Sequence, residues 1–212
     1  YKSKASIPPT IIEDLVKMNP GFRVNVYGDA ECIDFFHRHW TPDHASFFES
    51  IPDGPIKADF WRACVIYTFG GVYLDADVRL VTPIHQFVAD DVAFCTSGSK
   101  NGHIHVNPIV IVARPRCHIL MDCIERMLSM RNYAYDYWRY SICGHLRDAL
   151  KTHVPSYRSN VSGMYWTTKG EKVQMLTENN WKTTSTAKTL WKNDVVLYNH
   201  SDIYDNDRHG FK

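Results

Sequence analysis

Apolar positions along the chain switch repeatedly between a spacing of three or four and a spacing of two, the mark of helices interleaved with strands. Ile11 to Met18 is a short amphipathic stretch closed by Asn19-Pro20-Gly21, a strong turn signal. Phe22 to Tyr27 alternates with period two and ends at Gly28-Asp29, as a strand does, and Ala30 to Trp40 returns to helical spacing. Pro52-Asp53-Gly54-Pro55 then breaks the chain. Asp59 to Phe69 reads as a helix stopped by Gly70-Gly71, and Val72 to Val78 alternates as a strand. Val92 to Cys95 and Ile109 to Ala113 are short apolar runs of strand character. After Pro115, the residues Ile119, Leu120, Cys123, Ile124, Met127 and Leu128 form one helical stripe, which reads as core packing. Val195 to Tyr198 predicts a last strand before a polar tail rich in Asp and His. Strands alternating with helices, with no linker between them, predict one α/β domain over residues 1–212 with a central, mainly parallel sheet flanked by helices.

Composition narrows the partners. The 212 residues carry a formal net charge of +1, so no broad field points to nucleic acid or to an acidic membrane surface. An anionic ligand would be held by a few placed groups. The six cysteines form no CxxC pair and mostly sit in apolar runs such as Arg62-Ala63-Cys64-Val65-Ile66, which reads as reduced, buried thiols. No apolar run approaches the ~20 residues that cross a bilayer, and no signal peptide is visible. The expectation is a soluble chain in a reducing, cytoplasmic-type compartment, or a domain of a longer protein.

The chemistry concentrates between Ile56 and Val81. Asp59 and Arg62 are three apart and share a helix face, with Lys57 just before them. On the following strand Tyr73, Asp75 and Asp77 share one face, and Val72, Leu74 and Ala76 the other. Two carboxylates at a strand end suit a hard divalent cation, and Mg²⁺ and Mn²⁺ often bind one or two carboxylates plus substrate phosphates. Asp-x-Asp alone says little. With Asp at about one residue in twenty, a chain this long carries one by chance about half the time, and Asp205-Asn206-Asp207 is a second copy. Read alone, Asp75 and Asp77 fit a solvated strand end as well as a metal site. The context is what changes the picture.

Ala58-Asp59-x-x-Arg62 followed by Gly70-Gly71-Val72-Tyr73-Leu74-Asp75-Ala76-Asp77 resembles the sugar-binding-region signature of DXD glycosyltransferases. That group includes the α-1,6-mannosyltransferase-like family and, more distantly, the glucosylating domains of large clostridial toxins. Similarity continues through Ile7-Pro8 to Phe22, Asn107 to Ala113 and Ser141-Ile142-Cys143-Gly144. The overall impression is of a virus-encoded member. The resemblance implies a GT-A fold, a UDP- or GDP-sugar donor with UDP-glucose as the default, Mn²⁺ or Mg²⁺, a glycan acceptor and retention of anomeric configuration. Carried over by position, it implies that Asp77 ligates the metal and Asp75 touches the ribose and the metal shell. Asp59 and Arg62 would hold sugar hydroxyls and diphosphate, with Tyr73 nearby and the Asn107 side chain facing the donor sugar. His200 is the candidate third metal ligand, and Tyr1 the candidate stacking partner for the base. The chain departs from the family at two points. It starts where the family's base-cradling strand ends, and Gly144 is followed by His145 rather than Pro.

Other residues leave readings open. His103-Ile104-His105 fits a loop or substrate contact as well as a metal pair, and the aromatic run Tyr133 to Tyr140 fits core or interface as well as an acceptor platform. Trp166, Trp181 and Trp191 share that ambiguity. Two rivals stay in play. A haloacid-dehalogenase-type phosphatase also uses Asp-x-Asp, but it wants a small Thr or Val where this chain has Arg79. A carbohydrate-binding module would not need a metal site beside Asp59 and Arg62. A glycoside hydrolase fits poorly, because its carboxylates must stand at least ~5 Å apart across the bond.

Overall fold

A computed structural model describes residues 9–76, 78–99, 106–130, 137–158, 161–179 and 186–200. The first half is helical: α1 (Pro9–Met18), α2 (Asp29–His39), α3 (Pro42–Ser50) and α4 (Gly54–Phe69) precede any strand. The segment 22–27, expected as a strand, is irregular and outside the sheet. Asn19 of the expected turn is buried; its amide donates to the Leu15 carbonyl at 3.1 Å and its Oδ1 accepts from the Ile84 N–H at 2.9 Å. That tie stops α1 and docks it on α5 (Ile84–Phe87).

Helix α4 begins where Asp53 accepts the Ile56 N–H at 3.4 Å, and Pro55 sits in its first turn. It ends at Gly70, whose φ of 67° and ψ of −164° lie in a region essentially reserved for glycine. A Cβ on Gly70 would stand 2.6 Å from Pro115 Cδ. The chain then enters β1 (Gly71–Leu74), passes through residues 75–77 and continues as β2 (Val78–Leu80). The single strand expected from Val72 to Val78 is therefore two.

The remaining elements are β3 (Val92–Ser99), β4 (Val110–Ala113), α6 (His118–Ser129), α7 (Tyr137–Tyr140), α8 (Ile142–His153), β5 (Gly163–Trp166), β6 (Lys172–Asn179), β7 (Thr186–Trp191) and β8 (Asp194–His200). The sheet order is β1-β4-β3-β6-β7-β8-β2, with β5 also on β6. Among the described residues only β3 and β6 pair in parallel, which corrects the expectation of a mainly parallel sheet. The physical reason is connection length. Only the β4-to-β6 stretch carries long crossover helices, whereas β7 turns straight into β8 through Lys192 and Asn193 at φ of 50° and 76°, the positive pair of a tight hairpin turn. The coarser expectation, a mixed α/β chain with helices packed on a sheet, stands.

The sheet must also curl. Strands β1 and β2 end the path, six spacings apart, which in a flat sheet would be about 29 Å. Residues 75–77 join them, and four peptide steps reach only about 14 Å. The Asp-x-Asp link thus spans the place where the two rims of the sheet approach each other. Side chains alternate accordingly. Phe94 and Ile111 join a core with Phe36, Phe60, Ile124 and Leu146 of the helices, while Cys95 and Val110 join Val78, Leu80, Leu176 and Leu197. The expected stripe on α6 is buried at Ile119, Leu120, Cys123, Ile124 and Met127. All six cysteines are free. Among the described residues no helix is long and apolar enough to cross a membrane.

Candidate functional site

Four of the side chains singled out above meet where α4, β1 and the link after it converge. Arg62 is the hub. Its Nη2 lies 3.1 Å from Asp59 Oδ1 and its Nη1 2.9 Å from Asp75 Oδ1. Nη1 also donates to the Pro108 carbonyl at 3.1 Å and Nε to the Ala58 carbonyl at 3.3 Å. Every guanidinium nitrogen thus has a protein oxygen in reach. The Tyr73 ring lies under the guanidinium at 4.5 Å, and its hydroxyl donates to Asp75 Oδ1 at 2.7 Å. The Gly70-Gly71 turn makes this possible by sending β1 back along α4.

Asp59 faces a second helix. Its Oδ2 accepts the Ile142 N–H at 3.1 Å, in the first turn of α8, where Ser141 is the N-cap. Burial pushes its carboxyl pKa up to about 6, although Arg62 and the Ile142 N–H pull the other way. Desolvation outweighs pairing here because the carboxyl is almost fully enclosed. For Arg62, burial disfavours the cation, yet Asp75, Tyr73 and Asp59 more than compensate, so it stays charged. Burial raises the Tyr73 phenol well above its usual range, which keeps it a hydrogen-bond donor.

Asp75 differs from its partners. It follows the last residue of β1, its side chain is 24% exposed, and its N–H is fixed by the Ile109 carbonyl at 3.0 Å. Its described contacts all fall on Oδ1, leaving Oδ2 for a ligand. A carboxylate with one oxygen anchored and the other available suits a hard divalent cation. Among the described residues no group of three His, Cys, Asp or Glu could hold a metal. Asp77 lies outside those residues, as do Tyr1, His103, His105, the run Tyr133 to Asp136, and Trp181. The His200 side chain is also outside the description, but its backbone ends β8. Val78 pairs with Asn199, so His200 follows the partner of the residue after Asp77.

Asn107 starts the segment that carries the Pro108 and Ile109 carbonyls to Arg62 and Asp75. Lys57 stands apart, its Nζ 5.2 Å over the Phe48 ring. Trp166 is exposed, and Trp191 lines a groove of about 460 Å³ with His85, Met164 and Lys172, to which none of Asp59, Arg62, Tyr73 and Asp75 contributes. Sequence reasoning missed the Pro108 carbonyl and Glu178. The one available signal for Glu178 was a charged residue closing the uncharged run Val173 to Thr177.

Residues 9–94 match the family described as glycosyltransferase sugar-binding region containing DXD motif. Over this span the chain is similar to DXD-motif glycosyltransferases. The span contains Asp59, Arg62, Tyr73, Asp75 and Asp77. The chain is also similar to the initiation-specific alpha-1,6-mannosyltransferase of Candida albicans, 26% identical over 86 residues, covering 40% of this chain and 22% of the relative. It is 25% identical over 119 residues to an uncharacterized glycosyltransferase of Acanthamoeba polyphaga mimivirus, covering 56% of this chain and 47% of the relative. The chain thus spans less than half the length of these relatives. No solved structure matches it.

Proposed function

We propose that this DXD region belongs to a metal-dependent, retaining glycosyltransferase that moves a hexose or deoxyhexose from a nucleotide-sugar donor to a glycan. The observation that carries the reading is the Arg62 hub. It holds one buried and one accessible carboxylate inside the family's own span. Two negative charges around one cation leave the cluster with an excess that favours a divalent ion, and Asp75 Oδ2 with Asp77 would hold it. Such an ion, when bound, offsets the charge that grows on a diphosphate leaving group. The register of β8 with β2 supports His200 as a further ligand. UDP-sugars are the favoured donors by the family resemblance, and retention is carried over from it. The mannosyltransferase relative keeps GDP-mannose in the test.

Within this reading, Arg62 fixes the rotamer of Asp75 through Nη1 and adds positive charge for the diphosphate. Tyr73 holds the same Asp75 oxygen from the other side, so the free oxygen keeps its place. Asp59, tied to Ile142 and Arg62, orients the guanidinium. The decisive experiment is calorimetry of UDP, GDP, UDP-glucose and GDP-mannose with Mn²⁺ and then with EDTA. Metal-dependent binding that disappears in Asp77→Ala, with an unchanged circular dichroism spectrum, is the expected result. No nucleotide binding in either condition would remove the transferase reading and bring the phosphatase and lectin-like alternatives forward.

A further inference from the structure

Glu178, near the end of β6, is a carboxylate that the chemistry above does not use. It is 2% exposed, and its described hydrogen bond is a single one, from Asn107 Nδ2 to Oε2 at 2.8 Å. No cation is described beside it. A buried carboxylate with one neutral partner is costly, and such groups persist where they do something besides stabilise the fold. Burial raises its pKa, offset in part by the Asn107 bond.

Asn107 is held on every other side. Its N–H donates to the Ser97 carbonyl at 3.0 Å, and its own carbonyl accepts from Ser97 Oγ. The next two carbonyls, of Pro108 and Ile109, bind Arg62 and the Asp75 N–H. Asn107 therefore stands beside the Arg62 hub with a fixed backbone and one remaining freedom, the flip of its amide. Among the described residues its Oδ1 has no partner.

We propose that Glu178 sets that flip, so that Asn107 presents its carbonyl oxygen to a hydroxyl of the donor sugar. An ionised carboxylate only accepts hydrogen bonds, so the amide must turn its NH₂ toward Glu178 and its oxygen away. The open face of Asn107 is then an acceptor and selects a sugar O–H. Glu178 is a positioning residue that acts through Asn107. The proposal rests on the glycosyltransferase reading.

Glu178→Gln keeps the size and the hydrogen bond but removes the bias, because a glutamine amide can meet either face of Asn107. The test compares the unsubstituted chain, Glu178→Gln, Asn107→Ala and the double variant. The probes are UDP, GDP, UDP-glucose and GDP-mannose, titrated with Mn²⁺, and each variant's unfolding midpoint is measured. The expected result is unchanged affinity for the nucleoside diphosphate and a fall of about five- to tenfold for the preferred nucleotide sugar, the worth of one hydrogen bond. The double variant should bind no worse than Asn107→Ala alone. Equal loss for diphosphate and nucleotide sugar, or Glu178→Gln binding like the unsubstituted chain, overturns the proposal alone. If the unsubstituted chain binds no nucleotide, the transferase reading falls and this proposal with it.

Discussion

Two helices each carry an arginine that holds a carboxylate, and the two arrangements behave differently. On α6, Arg126 reaches Asp122 one turn back at 2.7 and 3.2 Å, and Asp122 in turn lies 3.2 Å from His153 Nε2 on α8. His153 meets His118 edge to face at 4.7 Å, and His118 Nδ1 lies 3.0 Å from Glu171. Arg126 is 37% exposed and its main partner is local. On α4, Arg62 is 9% exposed and joins Asp59 of its own helix to Asp75 and the Pro108 carbonyl from distant segments. The first arrangement ties neighbouring helices together in water's reach. The second builds a fixed charge distribution out of water, which is what a site needs and what stability alone does not favour.

The largest effect should therefore come from Arg62. Arg62→Ala leaves Asp59 and Asp75 without their cation, and breaking a buried pair from one side costs about 3–5 kcal/mol. Arg126→Ala removes an i,i+4 pair near the surface, at less than about 1 kcal/mol. Urea unfolding of both variants at pH 8 measures the contrast, and equal midpoints would break it. The penalty for Arg62→Ala should shrink at pH 5. Asp59 already titrates near 6 with its cation present and rises further without it, so acid lets the enclosed carboxyl go neutral.

The same contrast explains what the sequence could and could not reveal. Asp59, Arg62, Tyr73 and Asp75 were legible because helix and strand periodicity fix which residues share a face, and the Gly70-Gly71 stop fixes where the face changes. The α6 stripe was legible for the same reason. The sheet was not. Whether a strand returns by a hairpin or a crossover depends on partners far along the chain, so β5, β6 and β7 went unread and the parallel count came out wrong. The break between β1 and β2 was hidden because an alternating run looks the same whether it stays in one strand or crosses between two rims. The partner of Glu178 was hidden because Asn107 lies 71 positions away.

A middle-sized effect tests whether geometry matters to the hub as much as charge does. Gly70 turns β1 back onto α4 with a backbone that non-glycine residues avoid, and a Cβ there would meet Pro115 at 2.6 Å. Gly70→Ala should cost about 1–3 kcal/mol from backbone strain alone. It should also weaken nucleotide binding, because Tyr73 and Asp75 shift relative to Arg62. Gly21→Ala, whose new Cβ meets nothing within 4 Å at a negative φ, is the control. A Gly70→Ala variant as stable and as active as that control would mean that the turn merely connects the two elements.

The smallest effect belongs to the second cluster and concerns pH. Burial holds the His118 pKa below its ordinary 6.5, with His153 and Lys169 adding to the depression and Glu171 opposing it. Below 6.5 the unfolded chain takes up a proton that folded His118 resists, so acid favours unfolding. The contribution is complete above 6.5 and is lost as pH falls through the lowered folded value. His145 on α8, also depressed by burial, adds in the same direction, while Asp59 acts oppositely between its ordinary 3.8 and about 6. His118→Gln isolates the one term. Its unfolding free energy should fall less between pH 7.5 and 5.5 than that of the unsubstituted chain, and nucleotide affinity should be the same in both at pH 7.5. Parallel stability curves would show that the His118–His153 contact carries no proton linkage. A change in nucleotide affinity at pH 7.5 would show that the two clusters are coupled across α6 and α8 rather than independent.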